Sequence, residues 1–274
     1  MNLLNDFLTR LLSERAVLVR VDACQGSVPR GVGAWMAVFA QHQVNTVGGG
    51  HLELQALTQA RALLRGGQAT PVLRYALGPS LGQCCGGVVD LAYETVQATD
   101  AEALRRRLQP DRQAVALFGG GHVGQALVRV LLNLPFEVCW IDSRDEIFPS
   151  SVPAQVRCEH CDPVHSAVGA LEPGSRVLIM SFSHAEDLDV VAACLQRLRE
   201  RDDLPYVGLI GSKSKWASFR SRLRLRGFGE AELERVTSPI GVSGILGKEP
   251  EVIAVAVAAQ LLQQPDWPAA RRAD

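Results

Sequence analysis

Two adjacent thiols, Cys84 and Cys85, stand inside the segment Leu81-Gly82-Gln83-Cys84-Cys85-Gly86-Gly87. Glycines on both sides let the backbone turn sharply and come close to a ligand. A thiolate presented from such a loop acts as a nucleophile or as a soft metal ligand. Neighbouring cysteines are poorly disposed to bond to each other, because a disulfide demands tight geometry. A thiol-redox role is the weaker reading, since the pair lacks the C-x-x-C spacing that tunes thiol acidity at a helix start. The bland alternative is two small hydrophobes at a turn.

Two further glycine-rich segments in the same half carry groups suited to anions. Gln25-Gly26-Ser27-Val28-Pro29-Arg30-Gly31-Val32-Gly33 is dense in turn residues and offers the basic side chain of Arg30. Thr46-Val47-Gly48-Gly49-Gly50-His51-Leu52-Glu53 leads into a helical pattern that runs to about Leu64. Gly48, Gly49 and Gly50 before a helix N-terminus are expected to leave N–H groups unpaired and pointing outward, an anion site. The Glu53 carboxylate, in the first turn beside His51, suits the helix dipole.

The second half holds a different constellation. The apolar run Ala114–Phe118 is followed directly by Gly119-Gly120-Gly121-His122-Val123-Gly124, then by a helical pattern through Leu134 and a strand pattern from Glu137 to Ile141 that ends at Asp142. Strand, G-x-G-x-x-G, helix, strand and acid stand in the order of the dinucleotide fingerprint. Gly119 permits the tight turn, Gly121 lets the backbone approach a pyrophosphate, and Gly124 lets helix and strand pack. Asp142, eighteen residues past Gly124, is placed to accept from ribose hydroxyls. Folds of this kind also occur with the turn kept and the nucleotide lost. Cys158, His160, Cys161 and His165 lie close enough in sequence for zinc, but no second C-x-x-C completes the set, and a strand–loop junction is the competing reading. Ser183-His184-Ala185-Glu186-Asp187 follows a strand end, where either ligand groups or a helix cap belong.

These loops need elements to hold them. Leu3, Leu4, Phe7, Leu8, Leu11 and Leu12 repeat at helical spacing. Strands are expected at Ala16–Val21, Ala34–Phe39, Val72–Tyr75 and Val88–Tyr93, which makes residues 1–98 an α+β domain. The polar stretch 99–112, with Arg105, Arg106 and Arg107, reads as a short helix and linker whose charges face solvent. Residues 113–266 alternate strands (Arg176–Phe182 and Tyr206–Ile210 among them) with helices (Asp187–Arg199 and Lys213–Arg226), the signature of a doubly wound parallel sheet. The basic side chains from Lys213 to Arg226 either face a phosphate at the carboxyl edge of that sheet or lie in solvent. Glu251–Leu262 is apolar almost all round, so burial is expected. Residues 267–274 read as a flexible tail.

Composition narrows the class. With 274 residues, 47% hydrophobic and 21% charged, the chain has the balance of a folded globular protein of one or two domains. A net charge of -1 and 5% aromatic residues argue against nucleic acid or an anionic membrane as partner. No apolar run has the length of a membrane span, and the N-terminus lacks a basic region and cleavage site. Seven scattered cysteines, an odd number, fit reduced thiols in the cytoplasm better than a disulfide framework.

Taken together, the blocks resemble the xanthine dehydrogenase accessory protein family (the XdhC/CoxI type) over nearly the whole length. They are Gly26–Arg30 with Gly33-Ala34-Trp35-Met36, Thr46–Glu53, Gly82–Gly87, Phe118–Gly124, Asp142-Ser143-Arg144, Ser183-His184, Gly208–Lys213, and Pro239-Ile240-Gly241 with Gly247-Lys248-Glu249-Pro250. Two positions depart from the family's form: Asn45 stands where a glycine often precedes the threonine, and Ser181-Phe182 replaces a more usual Thr-His.

The resemblance implies an XdhC/CoxI-type domain followed by a Rossmann-like domain, and a chaperone rather than a catalyst. Such a protein binds the pyranopterin molybdenum cofactor transiently and protects it. It presents the cofactor to a cysteine desulfurase, which exchanges an oxo ligand for a sulfido, and passes it to the molybdenum subunit of xanthine dehydrogenase. Cys85, then Cys84, would contact molybdenum, with Arg30 and Gly48, Gly49 and Gly50 anchoring the cofactor's phosphate. A homo-oligomer, most simply a dimer, suits the handover of a protected ligand. The alternative is an NAD(P)-dependent oxidoreductase that uses Gly119, Gly121, Gly124 and Asp142, with His122 or His184 as acid–base group.

Overall fold

The computed structural model describes residues 3–67, 71–78, 86–109 and 112–265, which fall into two compact units, Met1–Gln109 and Pro110–Asp274. Cys84 and Cys85 lie outside the described residues. Among the described residues no helix is long and apolar enough to cross a membrane.

The first unit contains α1 (Leu3–Leu11), β1 (Ala16–Gln25), β2 (Trp35–Val38), β3 (Gln43–Asn45), α2 (Gly50–Leu64), β4 (Val72–Ala76), β5 (Val88–Val96) and α3 (Ala101–Leu108). Its strands form an antiparallel sheet in the order β3-β2-β1-β5-β4. Side chains alternate across a strand, so β1 feeds two cores. Val17, Val19 and Val21 meet Leu52, Ala56 and Ala60 of α2 on one face. Ala16 and Leu18 meet Phe7, Leu8 and Leu11 of α1 and Leu104 and Leu108 of α3 on the other. The stretch from Ala101 to Leu108 is thus a helix whose Leu104 and Leu108 enter the first unit's core, while Glu102, Ala103 and the three arginines face solvent.

The second unit contains β6 (Gln113–Phe118), α4 (His122–Leu131), β7 (Phe136–Asp142), β8 (Val156–His160), β9 (Arg176–Ile179), α5 (His184–Arg201), β10 (Tyr206–Leu209), α6 (Lys213–Leu225), α7 (Glu230–Leu233), β11 (Val236–Thr237) and α8 (Pro250–Gln263). All its strand pairs are parallel, in the order β11-β10-β9-β6-β7-β8. Counted from β6 this is the 3-2-1-4-5-6 order of the Rossmann fold, with its switch point between β6 and β9. One core gathers residues of β9 and β10 with α5 and α6, and the other gathers residues of β6 and β7 with α4 and α8. The mixed architecture expected from the sequence is therefore present. One expectation needs correction. Helix α8 is not buried all round: Ala254, Val257, Ala258 and Leu261 face the core, while Val255 and Leu262 are 52% and 51% exposed. A helix packed on one side buries one face whatever its composition.

A buried ion pair ties α5 to its surroundings. The Arg197 guanidinium donates to both oxygens of Asp203 at 2.8 and 2.7 Å and to the carbonyls of Val168 and Leu171. Removing one partner strands the other in the interior, so Arg197→Ala is expected to destabilise the second unit by about 3 kcal/mol, read as a lower urea midpoint. An unchanged midpoint would show that the pair contributes nothing.

Candidate functional site

The register of the antiparallel sheet places two glycine-rich turns of the first unit, and Gly86-Gly87 of the third segment, at one end. Gln25 pairs with Val88, Ala76 with the same Val88, and Met36 with Asn45. The turns that follow β1 and β3, and the residues that lead into β5, therefore emerge side by side. Close approaches confirm it. A Cβ at Gly87 would overlap the carbonyl oxygen of Ser27, and one at Gly48 would lie 2.5 Å from Cγ of Pro29. Glycine is required at both places. Gly86 and Gly87 follow directly on Cys85 in the sequence, and in the structure they lie against the Gly26–Ser27 turn.

Arg30 is exposed, its stem beside Gly48, and it has no hydrogen-bond or ion-pair partner among the described residues. His51, at the start of α2, is exposed as well.

The glycine triplet differs from the expectation of outward-pointing N–H groups. Gly48, Gly49 and Gly50 all adopt positive φ (137°, 75° and 62°). The turn they make wraps around the Glu53 carboxylate. Its Oε2 accepts from the N–H of Val47 at 3.2 Å, the N–H of Gly49 at 3.1 Å and the Thr46 hydroxyl, and its Oε1 accepts from Gln43 at 2.9 Å. Gly48 donates to the Thr46 hydroxyl at 3.0 Å. The Gly48 and Gly49 donors are thus consumed within the loop. Of the triplet, Gly50 is the one that opens α2, where the first N–H groups find no acceptor inside the helix. Burial pushes the Glu53 carboxyl up, but the bonds from Thr46, Gln43, Gly49 and Val47 outweigh it and hold it below the usual carboxylate range. Glu53 is therefore the keystone of the turn as well as a dipole partner. Asn45, the departure noted in the sequence, sits at φ 67°, a left-handed conformation that asparagine tolerates best after glycine.

The second candidate constellation lies at the carboxyl edge of the parallel sheet. A Cβ at Gly119 (φ 121°) would overlap the Met180 carbonyl, and one at Gly124 would overlap the carbonyl of Gly119. Gly121 stands at the N-cap of α4 with open space on its Cβ side. Asp142 is not free for a ribose. Its side chain is 1% exposed, Oδ2 accepts the Gly120 N–H at 2.6 Å, and Arg144 pairs with both oxygens at 2.9 and 3.0 Å. Burial pushes its carboxyl up, yet the Arg144 and Gly120 bonds prevail and the net direction is down.

A carboxylate lowered on folding stabilises above its unfolded value near pH ~3.9, and that stability disappears as pH falls through the folded value. Asp142→Asn is therefore expected to lower the urea midpoint at pH 7, with the gap from wild type closing below about pH 4. A gap independent of pH would assign the effect to shape alone.

His122 and His184 each open a helix and are exposed; the His184 segment is a cap, in which Ser183 accepts from the N–H of Glu186. Of the basic residues of α6, Lys215 turns inward, donating to Asp187 at 2.6 Å and to the Ile210 carbonyl, while Arg220 and Arg224 pair with Glu230. The possible zinc set is dispersed. Cys158 and Cys161 belong to opposite cores, His160 bonds the Ser143 carbonyl, and among the described residues no three metal-type ligands converge. Sequence reasoning missed the Glu53 and Asp187–Lys215 contacts. Their one legible signal was position, in the first turns of helices that follow glycine loops or strand ends.

Residues 115–261 match the XdhC Rossmann domain, and residues 12–76 match the XdhC and CoxI family. The protein YqeB of Escherichia coli (strain K12) is 28% identical over 255 residues, which covers 90% of this chain and 43% of YqeB. The chain thus spans less than half the length of that relative. The crystal structure of a xanthine dehydrogenase from Bacillus halodurans superposes with a TM-score of 0.78 over 96% of each chain, at 20% identity, and so shares the fold.

Proposed function

Because this chain belongs to the XdhC family, we propose that it is a maturation factor for xanthine dehydrogenase, a carrier that binds the molybdenum cofactor transiently and hands it on. The observation that carries this reading is the convergence of the Gly26–Arg30 turn, the Gly48–Gly50 turn and Gly86-Gly87 at one end of the antiparallel sheet. A cargo with a soft metal at one end and a phosphate at the other calls for a thiol and a cation near each other. Cys85 and Cys84, joined in sequence to Gly86, would supply the thiols, and molybdenum is thiophilic. Arg30 would supply the charge, and the Gly50 N–H at the start of α2 a directed donor. The Gly48 and Gly49 donors serve instead to shape the turn.

A carrier needs few strong contacts, so that its cargo can leave. Exposed loops on a rigid sheet meet that need. Sulfuration by a cysteine desulfurase and delivery to the molybdenum subunit would both take place at this accessible end. A dimer of carriers would add shelter for the cargo. The NAD(P)-dependent alternative has less to stand on: His122 and His184 are helix-opening residues on the surface with no acid–base partner beside them among the described residues, and the Asp142 oxygens are engaged with Arg144 and Gly120 in the arrangement seen.

Delivery gives a direct test. Protein loaded anaerobically with the sulfido form of the cofactor is mixed with cofactor-free xanthine dehydrogenase, and urate formation is followed. Activation beyond that from free cofactor alone is expected, and Arg30→Ala should reduce it. Equal activation with and without the protein would reject the carrier role.

A further inference from the structure

The carboxyl edge of the parallel sheet carries contacts for which the carrier reading has no use. The loops after β7 and β9 leave the sheet on either side of β6, about 10 Å apart by strand spacing. They are nevertheless joined. Ser143 Oγ donates to Glu186 Oε1 at 2.8 Å, and the Phe182 N–H donates to Glu186 Oε2 at 3.1 Å. The Arg144 guanidinium stacks on the Phe182 ring, 4.4 Å from its centroid. Below them, Arg144 also holds Asp142, Asp142 holds the Gly120 N–H, and a Cβ at Gly120 would come within 2.6 Å of Ile147.

In a sheet of this order, a nucleotide's ribose and diphosphate would lie between these loops, over the first glycine turn. We propose that Ser143, Arg144, Phe182 and Glu186 form a strap that holds this crevice shut, and that a nucleoside diphosphate enters only when the strap opens. Two features suit a strap rather than a core contact. Phe182 is 66% exposed and the Arg144 side chain 35% exposed, so both can swing outward without disturbing the sheet. The acid that would bind ribose is silenced by the same arginine that stacks on the ring, so one movement of Arg144 breaks both contacts. Opening therefore frees the Asp142 carboxylate from the guanidinium, while the N–H groups of Gly120 and Arg144 go on orienting it beside the exposed Gly121.

This strap is independent of the carrier reading, and its failure would leave the glycine-rich turns of the first unit untouched. The common chemistry is a nucleoside diphosphate, which an adenine or a cytosine nucleotide could bring. Calorimetric titration with ADP and with CDP separates these sources. Phe182→Ala removes the stack and Glu186→Gln weakens the link to Ser143, and each is at a site outside the core. Removing one contact raises the open fraction and tightens the apparent Kd in proportion, so each variant is expected to bind ADP or CDP about tenfold more tightly than wild type. Circular dichroism and the thermal midpoint establish that each variant is folded, and Ser143→Ala breaks the same link from the other side should either fail. Wild type binding as tightly as the folded variants, or no binding by any of them at millimolar nucleotide, would overturn the strap.

Discussion

Gly119→Ala is expected to unfold the parallel-sheet unit, or to leave it too unstable to isolate. The added methyl would overlap the carbonyl oxygen of Met180, which is backbone and belongs to the loop of the adjacent strand β9. That oxygen cannot move aside without breaking the switch point, because Met180 donates its own N–H to Phe118 at 2.8 Å. The residue also sits at φ 121°, outside what an alanine adopts comfortably. Trp140 donates to the Gly119 carbonyl at 3.0 Å from the core beneath, so the peptide is pinned on that side too. Close overlap and backbone strain together place the cost above about 4 kcal/mol, a large share of a domain's stability. Gly121→Ala serves as the control, since nothing stands within 4 Å of its Cβ position and its φ of -68° is ordinary. Urea unfolding of the two variants checks the contrast. Similar midpoints would mean that the turn has slack that the contacts do not show.

The second large effect is expected at Glu53. In Glu53→Ala four donors lose their acceptor at once: Gln43, Thr46 and the N–H groups of Val47 and Gly49. Part-buried donors without a partner are costly, and the first unit should lose about 2–4 kcal/mol. The turn should also lose its shape, since three successive residues at positive φ stay ordered only where their surroundings hold them. Cofactor retention would then fall even though Arg30 and the thiols are intact. Glu53→Gln is expected to be much milder. Its amide oxygen can face the three donors of the turn, and the Gln43 amide can reverse to accept from the new N–H group. Thermal midpoints together with cofactor retention distinguish the outcomes. Equal loss in both variants would show that charge matters more than hydrogen-bond geometry.

Much of this fold is written locally. The strand–glycine turn–helix–strand order around Gly119 was readable because the glycine spacing is a contiguous motif and the strands are continuous apolar runs, although the Met180 carbonyl that demands Gly119 comes from far along the chain. The apolar spacing of α1 was equally plain. Strands β3 and β11 were not, having three and two residues, too few to show any periodicity. The convergence of the two turns and Gly86-Gly87 depends on β5 pairing with β1, a long-range contact that no local pattern encodes. The fate of the Gly48 and Gly49 donors was hidden for a related reason: it turns on Thr46 and Glu53, which flank the turn in sequence and close over it only in space. Asp142 misled by standing where the fingerprint wants an acid. Its commitment to Arg144, two residues on, appears only once both side chains are placed. Helix α8 shows the limit of composition, since its apolar residues run all round while its packing does not. The thiol pair Cys84-Cys85 remains a proposal from the sequence and from the company it keeps.

The most direct test of the carrier account is retention of the cargo itself. Wild-type protein and Cys85→Ala are incubated anaerobically with free molybdenum cofactor and passed through gel filtration, and molybdenum and pterin are measured in the protein peak. The account predicts that wild type retains both together and that Cys85→Ala retains less of both. Wild type that emerges with neither would contradict it.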